Sequence, residues 1–184
     1  MTALCRLSTN EGDLMTGRIH SYLAQLEWRG NRGAGTASYD GYGREFDARI
    51  DGKPGLEGSA DPVFRGDPTR YNPEELLLVA LASCHMLSYL ALCAREGLVV
   101  TSYLDHPEGT LQLDARGGGR FNGVMLHPSV TVSHAAQLQR AKELHVMAHS
   151  ACYIASSCNF PVEHRATIRD NSGTVSVSTS ERPT

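Results

Sequence analysis

The spacing of apolar and polar residues along this chain changes period several times, and each change marks a structural element. From Tyr22 onward, Tyr22, Ala24, Leu26 and Trp28 alternate with Leu23, Gln25 and Glu27. A period of two predicts a strand. The glycine-rich "RGNRGAG" that follows reads as a turn. "TASYDGYGREFDARI" then predicts a hairpin, with Asp40 and Gly41 in its turn and Phe46, Ala48 and Ile50 on one face. Residues 51–71 are dense in glycine and proline and predict a long loop, of the kind that often carries function.

At Asn72 the pattern changes. "NPEELLLVALASCHMLSYLALCAREG" opens with an N-cap asparagine, a proline suited to the first helical position, and Glu75 placed to complete a capping box. Gly97 stops the helix. About 24 residues give roughly 36 Å of helix. Its apolar residues run all the way round instead of forming one stripe, so it must be buried on most sides. A chain of 184 residues has trouble covering such a helix alone, and a second copy of the chain is expected to cover it.

Three strand-like segments follow, "LVVTSYL", "GTLQLDA" and "VMLHPSVTVSH", joined by turns such as "HPEG" and "RGGGR". Residues 135–158 predict a second helix, ended by Asn159 and Pro161. "VEHRATIRD" alternates Val162, His164, Ala166 and Ile168 and predicts a last strand. The expected organisation is a loose leader over residues 1–18, one domain over 19–170, and a Ser/Thr-rich tail over 171–184 that frays after extending the last strand. Strands, helix, strands, helix and strand in that order predict an α+β fold with largely antiparallel sheet.

Bulk composition narrows the function. Net charge is −3 and the basic residues are dispersed, so no basic field invites nucleic acid. The longest apolar run, Leu76–Ala82, is far shorter than the roughly 20 residues of a membrane span. The N-terminus does not read as a signal peptide, because Arg6 interrupts its short apolar patch. A cytoplasmic protein that needs no membrane is expected. Five cysteines, Cys5, Cys84, Cys93, Cys152 and Cys158, with no CxxC, argue against a secreted disulfide framework and a zinc ribbon.

Cys84 lies amid Leu, Ala and Met, where most thiols are packing. Ser83 and His85 beside it are polar groups that need partners in a buried segment. In the second helix, His145, His149 and Cys152 are spaced four and three, and so share one face. That face has three readings: histidines along the wet edge of an amphipathic helix, a redox cysteine flanked by imidazoles, or a metal site. A zinc set of Cys84, His85, His149 and Cys152 is disfavoured, because adjacent helical residues diverge by about 100°.

"NPEELLLVALASCH" resembles the signature of the OsmC/Ohr family of thiol peroxidases, in which Asn-Pro-Glu opens a central helix and the reactive cysteine lies ten residues after the Glu. The likeness runs from about Leu23 to Ile168. It implies an intertwined homodimer with antiparallel sheets around two long central helices. Cys84 then corresponds to the reactive cysteine, and Cys152, in "AHSACYIAS", to the second. The family's arginine, which follows a glycine-rich turn in the N-terminal hairpin, falls on Arg32, with Arg49, Arg65 and Arg70 as rivals; Glu74 would hold it. The implied chemistry is attack of the Cys84 thiolate on the O–O bond of an organic hydroperoxide. A sulfenic acid forms, condenses with Cys152 to a disulfide, and is reduced by an external dithiol of the lipoyl type, with no metal or other cofactor. Glu74 and Cys84 are roughly 15 Å apart along one helix. Two helices packed antiparallel and crossing near Val79 would set Glu74 of one copy against Cys84 of the other, giving composite sites.

The chain departs from the family pattern at two residues, and its loop over 51–71 is longer than the pattern leads one to expect. His85 stands where an aromatic residue, often Phe, is usual, and is a candidate base or second cation. Tyr153 stands where Pro usually follows the second cysteine, so the second helix is expected to run straight through Cys152. A redox-inert module binding a small hydrophobic ligand, and a different thiol-dependent enzyme on the same scaffold, are the alternatives.

Overall fold

The computed structural model describes residues 19–179. The expected leader over residues 1–18 and the end of the tail, residues 180–184, lie outside them.

The N-terminal part is a three-stranded sheet of β1 (Gln25–Trp28), β2 (Phe46–Arg49) and β3 (Leu56–Gly58), in that order. β1 pairs antiparallel with β2, with Trp28 opposite Phe46. This differs from the expected hairpin, since residues 36–44 form turns and no strand. Side chains hold that connection folded. The Arg44 guanidinium lies 3.9 Å from the Tyr42 ring centre and 4.6 Å from that of Tyr39. It also donates to the carbonyls of Tyr42 and Tyr39. Trp28 Nε1 donates to the Gly43 carbonyl at 2.8 Å. Gly30 is required here, because a Cβ would lie 1.8 Å from that same carbonyl. The expected loop over 51–71 is also corrected in part. β3 forms within it, placing Leu56 opposite Ala48, and Ser59 N–H then bonds the Tyr71 carbonyl at 2.9 Å.

Helix α1 (Pro73–Arg95) starts and stops where its signals lie. The Asn72 side chain accepts from Glu75 N–H at 2.8 Å and Glu75 accepts from Asn72 N–H at 3.0 Å, completing the capping box. Gly97 follows with φ 68°, the left-handed conformation that glycine adopts without steric cost. Leu81, His85, Tyr89 and Cys93 form the buried stripe, each one turn from the last. By length and composition α1 is apolar enough to cross a membrane, although no uninterrupted run in the sequence reaches that length. In the fold it packs on its neighbours along one side only. Just 22% of its apolar window is buried within the chain, and Val79 and Leu87 are 58% and 62% exposed.

The larger sheet contains β4 (Val100–Leu104), β5 (Glu108–Leu113), β6 (Gly119–Leu126), β7 (Ser129–Val132), β8 (Val162–Asp170) and β9 (Val175–Thr179). The order is β4-β7-β8-β6-β5, with β9 also on β8. The segment expected as one strand over 124–134 divides into β6 and β7 at Pro128, which has no N–H to continue a ladder. The fold is α+β, and its pairing is largely antiparallel as expected; β8 runs parallel to β6 and to β7.

The second helix does not run through Cys152. Helix α2 (Leu138–Ser150) ends, Cys152 adopts extended backbone (φ −79°, ψ 103°), and a short α3 (Tyr153–Ser156) begins. The segment is rich in weak helix formers. The hydroxyls of Ser150, Ser156 and Ser157 each bond a carbonyl four residues back, which weakens the local helix.

Two apolar clusters fill the body. One, with Tyr89, Leu144, Val130 and Ile168, lies between α1, α2 and the sheet; the other, with Leu81, Leu126 and Val162, lies under the first half of α1. Each large side chain among them contributes about 1.5–3 kcal/mol by leaving water. Among the described residues the three-stranded sheet has no comparable cover. Its strands pack on one another and not extensively on the helices or the larger sheet, and Leu26 is 69% exposed.

Candidate functional site

Cys84 lies midway along α1, one residue before the buried stripe at His85, and is half-buried. Cys152 is 1% exposed. The helix break swings Cys152 inward as the cap of α3, where its thiol lies close enough to that of Cys84 for the two to interact electrostatically. Burial pushes the Cys152 thiol up to about 11; backbone N–H from Ala155 opposes this, and the neighbouring Cys84 sulfur adds to it. Cys152 is therefore a thiol at neutral pH. The pair joins a more accessible sulfur to a sequestered one.

The other thiols sit apart. Cys93 is buried beside Tyr89 in the α1–α2 core, and burial raises its pKa. Cys158 is half-buried and donates to the Ile154 carbonyl at 3.4 Å.

His85 does not face the thiols alone. It belongs to a group of imidazoles contributed by α1 (His85), α2 (His145 and His149) and β8 (His164). His85 Nε2 and His145 Nδ1 are 3.1 Å apart and share a proton. The His164 ring centre lies 5.3 Å from that of His85 and 5.8 Å from that of His145. Tyr89 stacks face to face on His145 at 3.8 Å. His85, His145 and His164 are at most 1% exposed, so the wet-edge reading fails for His145. Burial lowers their pKa values to about 3, 2 and 4, and like-charge repulsion among the imidazoles adds to the shift. These rings are neutral at physiological pH. Among the described residues no three His, Cys, Asp or Glu side chains converge as a metal ligand set.

His149 is half-buried and lines a cavity of about 280 Å³ with Ser150, Ala155, Ser156 and Val162. The role of His164 was missed in the sequence. Its signal was the period-two pattern of β8, which places it between buried Val162 and buried Ala166.

Within one chain the candidate arginines stay with the N-terminal segment. Arg32 pairs with Glu45 at 3.3 Å, Arg49 with Asp47 at 3.8 Å, Arg65 with Asp40 at 2.7 Å and Arg70 with Glu57 at 3.3 Å. The structure does not bring Arg32 or Arg49 to Glu74. Glu74 Oε2 is buried at the start of α1 with no hydrogen-bond partner among the described residues, and such a carboxylate oxygen is costly without a cation or donor.

A central helix carrying one thiol, a broken second helix presenting another, and a long strand behind both define an α+β dithiol domain. Residues 66–166, more than half of the chain, match the model of the OsmC-like protein family, and the chain belongs to that family. Comparison with curated proteins gives no match. Among solved structures, an OsmC-like protein of unknown function from Vibrio cholerae O1 biovar eltor is similar at 28% identity and TM-score 0.71, with 80% of this chain and 99% of that one covered. An organic hydroperoxide resistance protein OsmC from Legionella pneumophila shares the fold at 17% identity and TM-score 0.60, covering 83% and 98%. An organic hydroperoxide resistance protein from Elizabethkingia anophelis does so at 16% identity and TM-score 0.60, covering 85% and 100%.

Proposed function

We propose that this protein is a cytoplasmic, cysteine-based thiol peroxidase that reduces organic hydroperoxides, and hydrogen peroxide more weakly, in defence against oxidative stress. The observation that carries this reading is the contact between half-buried Cys84 and sequestered Cys152. The Cys84 thiolate attacks the distal peroxide oxygen, the O–O bond breaks, and the alkoxide takes a proton to leave as alcohol. Cys84 is left as sulfenic acid. The Cys152 sulfur then displaces hydroxide from it, water leaves, and a Cys84–Cys152 disulfide forms. An external dithiol of the lipoyl type restores both thiols by exchange and is itself oxidised. The cycle needs no metal or other cofactor.

A second copy of the chain completes the site in this reading. The face of α1 and the small sheet that the described residues leave exposed, and the Glu74 Oε2 that has no partner among them, support a homodimer. Antiparallel α1 helices crossing near Val79 would bring Arg32, with Arg49 as its rival, to Glu74 and to a Cys84 thiolate across the interface. Stopped-flow oxidation of the reduced protein by an alkyl hydroperoxide and by hydrogen peroxide tests the reading. Fast loss of the Cys84 thiol with the alkyl hydroperoxide is expected. An unreactive Cys84 would favour a redox-inert module whose apolar cleft binds a small hydrophobic ligand, and oxidation without alcohol as product would favour a different thiol-dependent enzyme.

A further inference from the structure

The family-atypical His85 is adjacent to Cys84, yet its side chain leaves the helix about 100° away from the thiol. Its ring makes one particular bond, to His145. The ring planes are 10° apart and the centroids 5.4 Å apart, while the facing nitrogens are 3.1 Å apart. The centroid separation exceeds the nitrogen separation by about one ring width, so the rings lie end to end in one plane. This is an in-line N–H···N bond, unlike the face-to-face contact of Tyr89 on His145 at 3.8 Å. Tyr89 thus clamps the His145 plane while the bond sets its direction.

The place of this bond matters for the thiols. Among the described residues, the polar ties at the other end of the α1–α2 seam are exposed and lie beyond the end of α1: Arg140 to Glu96, and Gln137 Nε2 donating to the Gly97 carbonyl. The imidazole bond is buried, on the residue next to Cys84. His145 lies two turns before Cys152, and α2 ends between them. Side-chain atoms ride about 5 Å from a helix axis, so a roughly 20° rotation of α1 would move the Cys84 sulfur by about 2 Å. Disulfide formation tolerates little more than that, since the two Cβ atoms must come within about 3.5–4.5 Å.

We propose that the His85–His145 pair is a positioning lock that fixes the rotation of α1 against α2 and so holds Cys152 in register with Cys84 for disulfide formation. The bond needs a hydrogen-bonding atom at the leading edge of each side chain, in the plane of the other. The lock deepens the peroxidase reading and rests on it for its purpose. Its geometry can be tested without peroxidase activity.

The test uses the full-length protein and two probes. Diamide drives Cys84–Cys152 disulfide formation directly, and iodoacetamide, read at the Cys84 peptide by mass spectrometry, reports access to Cys84. His145→Phe retains a ring against Tyr89 and removes the nitrogen; His145→Leu serves the same comparison if the Phe ring disturbs folding. His145→Asn returns an amide to the position of Nδ1. Arg140→Ala breaks one of the exposed ties. We expect His145→Phe to slow diamide-driven disulfide formation at least tenfold while Cys84 alkylation stays within about twofold of the parent. His145→Asn should recover most of the loss, and Arg140→Ala should show none. Disulfide formation at the parent rate in folded His145→Phe or His145→Leu would overturn the proposal. So would an equal slowing of alkylation and disulfide formation, or an Arg140→Ala defect as large. If the parent fails to react with hydroperoxide, the peroxidase reading falls, and the diamide comparison still decides the lock.

Discussion

Titration of the folded protein from about pH 7 to about pH 4.5 loads protons onto the unfolded chain that the folded chain refuses. His85, His145 and His164 have folded pKa values lowered to about 3, 2 and 4 from an ordinary 6.5. A base kept neutral by burial contributes stability that is full above its unfolded pKa and is lost as pH falls toward its folded pKa. Below about pH 5.5 nearly three protons separate the states, and three protons correspond to a slope of about 4 kcal/mol per pH unit. Integrated from neutrality, the loss is about 6 kcal/mol at pH 5 and about 8 kcal/mol at pH 4.5. That is comparable to the whole stability of an ordinary domain, about 5–15 kcal/mol. Carboxylates with lowered pKa values, such as Asp47, Glu96 and Asp170, act in the same direction but below the ordinary carboxylate range. Asp105, whose pKa is raised by burial, acts in the opposite sense. Urea unfolding followed by far-ultraviolet circular dichroism, at fixed protein concentration and half-unit pH steps, gives the slope. His85→Phe should lower it to about 2.7 kcal/mol per pH unit, because one proton drops out. Stability that stays flat between about pH 6.5 and pH 5 would refute the reasoning.

The remaining predictions concern assembly and activation. Val79→Asp places a charge on the uncovered face of α1 and should convert a dimer at micromolar concentration to monomer or unfolded chain in sedimentation; a folded, monomeric parent would contradict the assembly. Arg32→Ala should slow hydroperoxide reduction at least tenfold, about 1.4 kcal/mol of barrier. The same loss in Arg49→Ala, with Arg32→Ala unaffected, would move the role to Arg49. In Cys152→Ser, Cys84 should accumulate as sulfenic acid and then over-oxidise under excess hydroperoxide, as read by mass spectrometry.

Features written in local sequence were the ones legible in advance. The start of α1 lies in Asn72, Pro73 and Glu75, whose side chains act within one turn, and its end lies in Gly97. The alternation of β8 marks Val162, Ala166 and Ile168 as buried, and it marked His164 too. What stayed hidden depends on partners distant in the chain. β3 exists because Leu56 meets Ala48. The imidazole cluster exists because β8 brings His164 against α1 and α2. The break at Cys152 is not legible locally, because no proline marks it. Three back-bonding serines and a buried environment for one thiol decide it. The activating arginine is not legible either, since each candidate has a carboxylate in its own segment.

Peptide mapping by mass spectrometry, after one equivalent of alkyl hydroperoxide is added to the fully reduced protein, tests the central claim most directly. The account predicts one intrachain disulfide joining Cys84 to Cys152, with Cys93 and Cys158 still reduced. Cys84 left unmodified after excess hydroperoxide, or found bridged to Cys93 or Cys158, would contradict it.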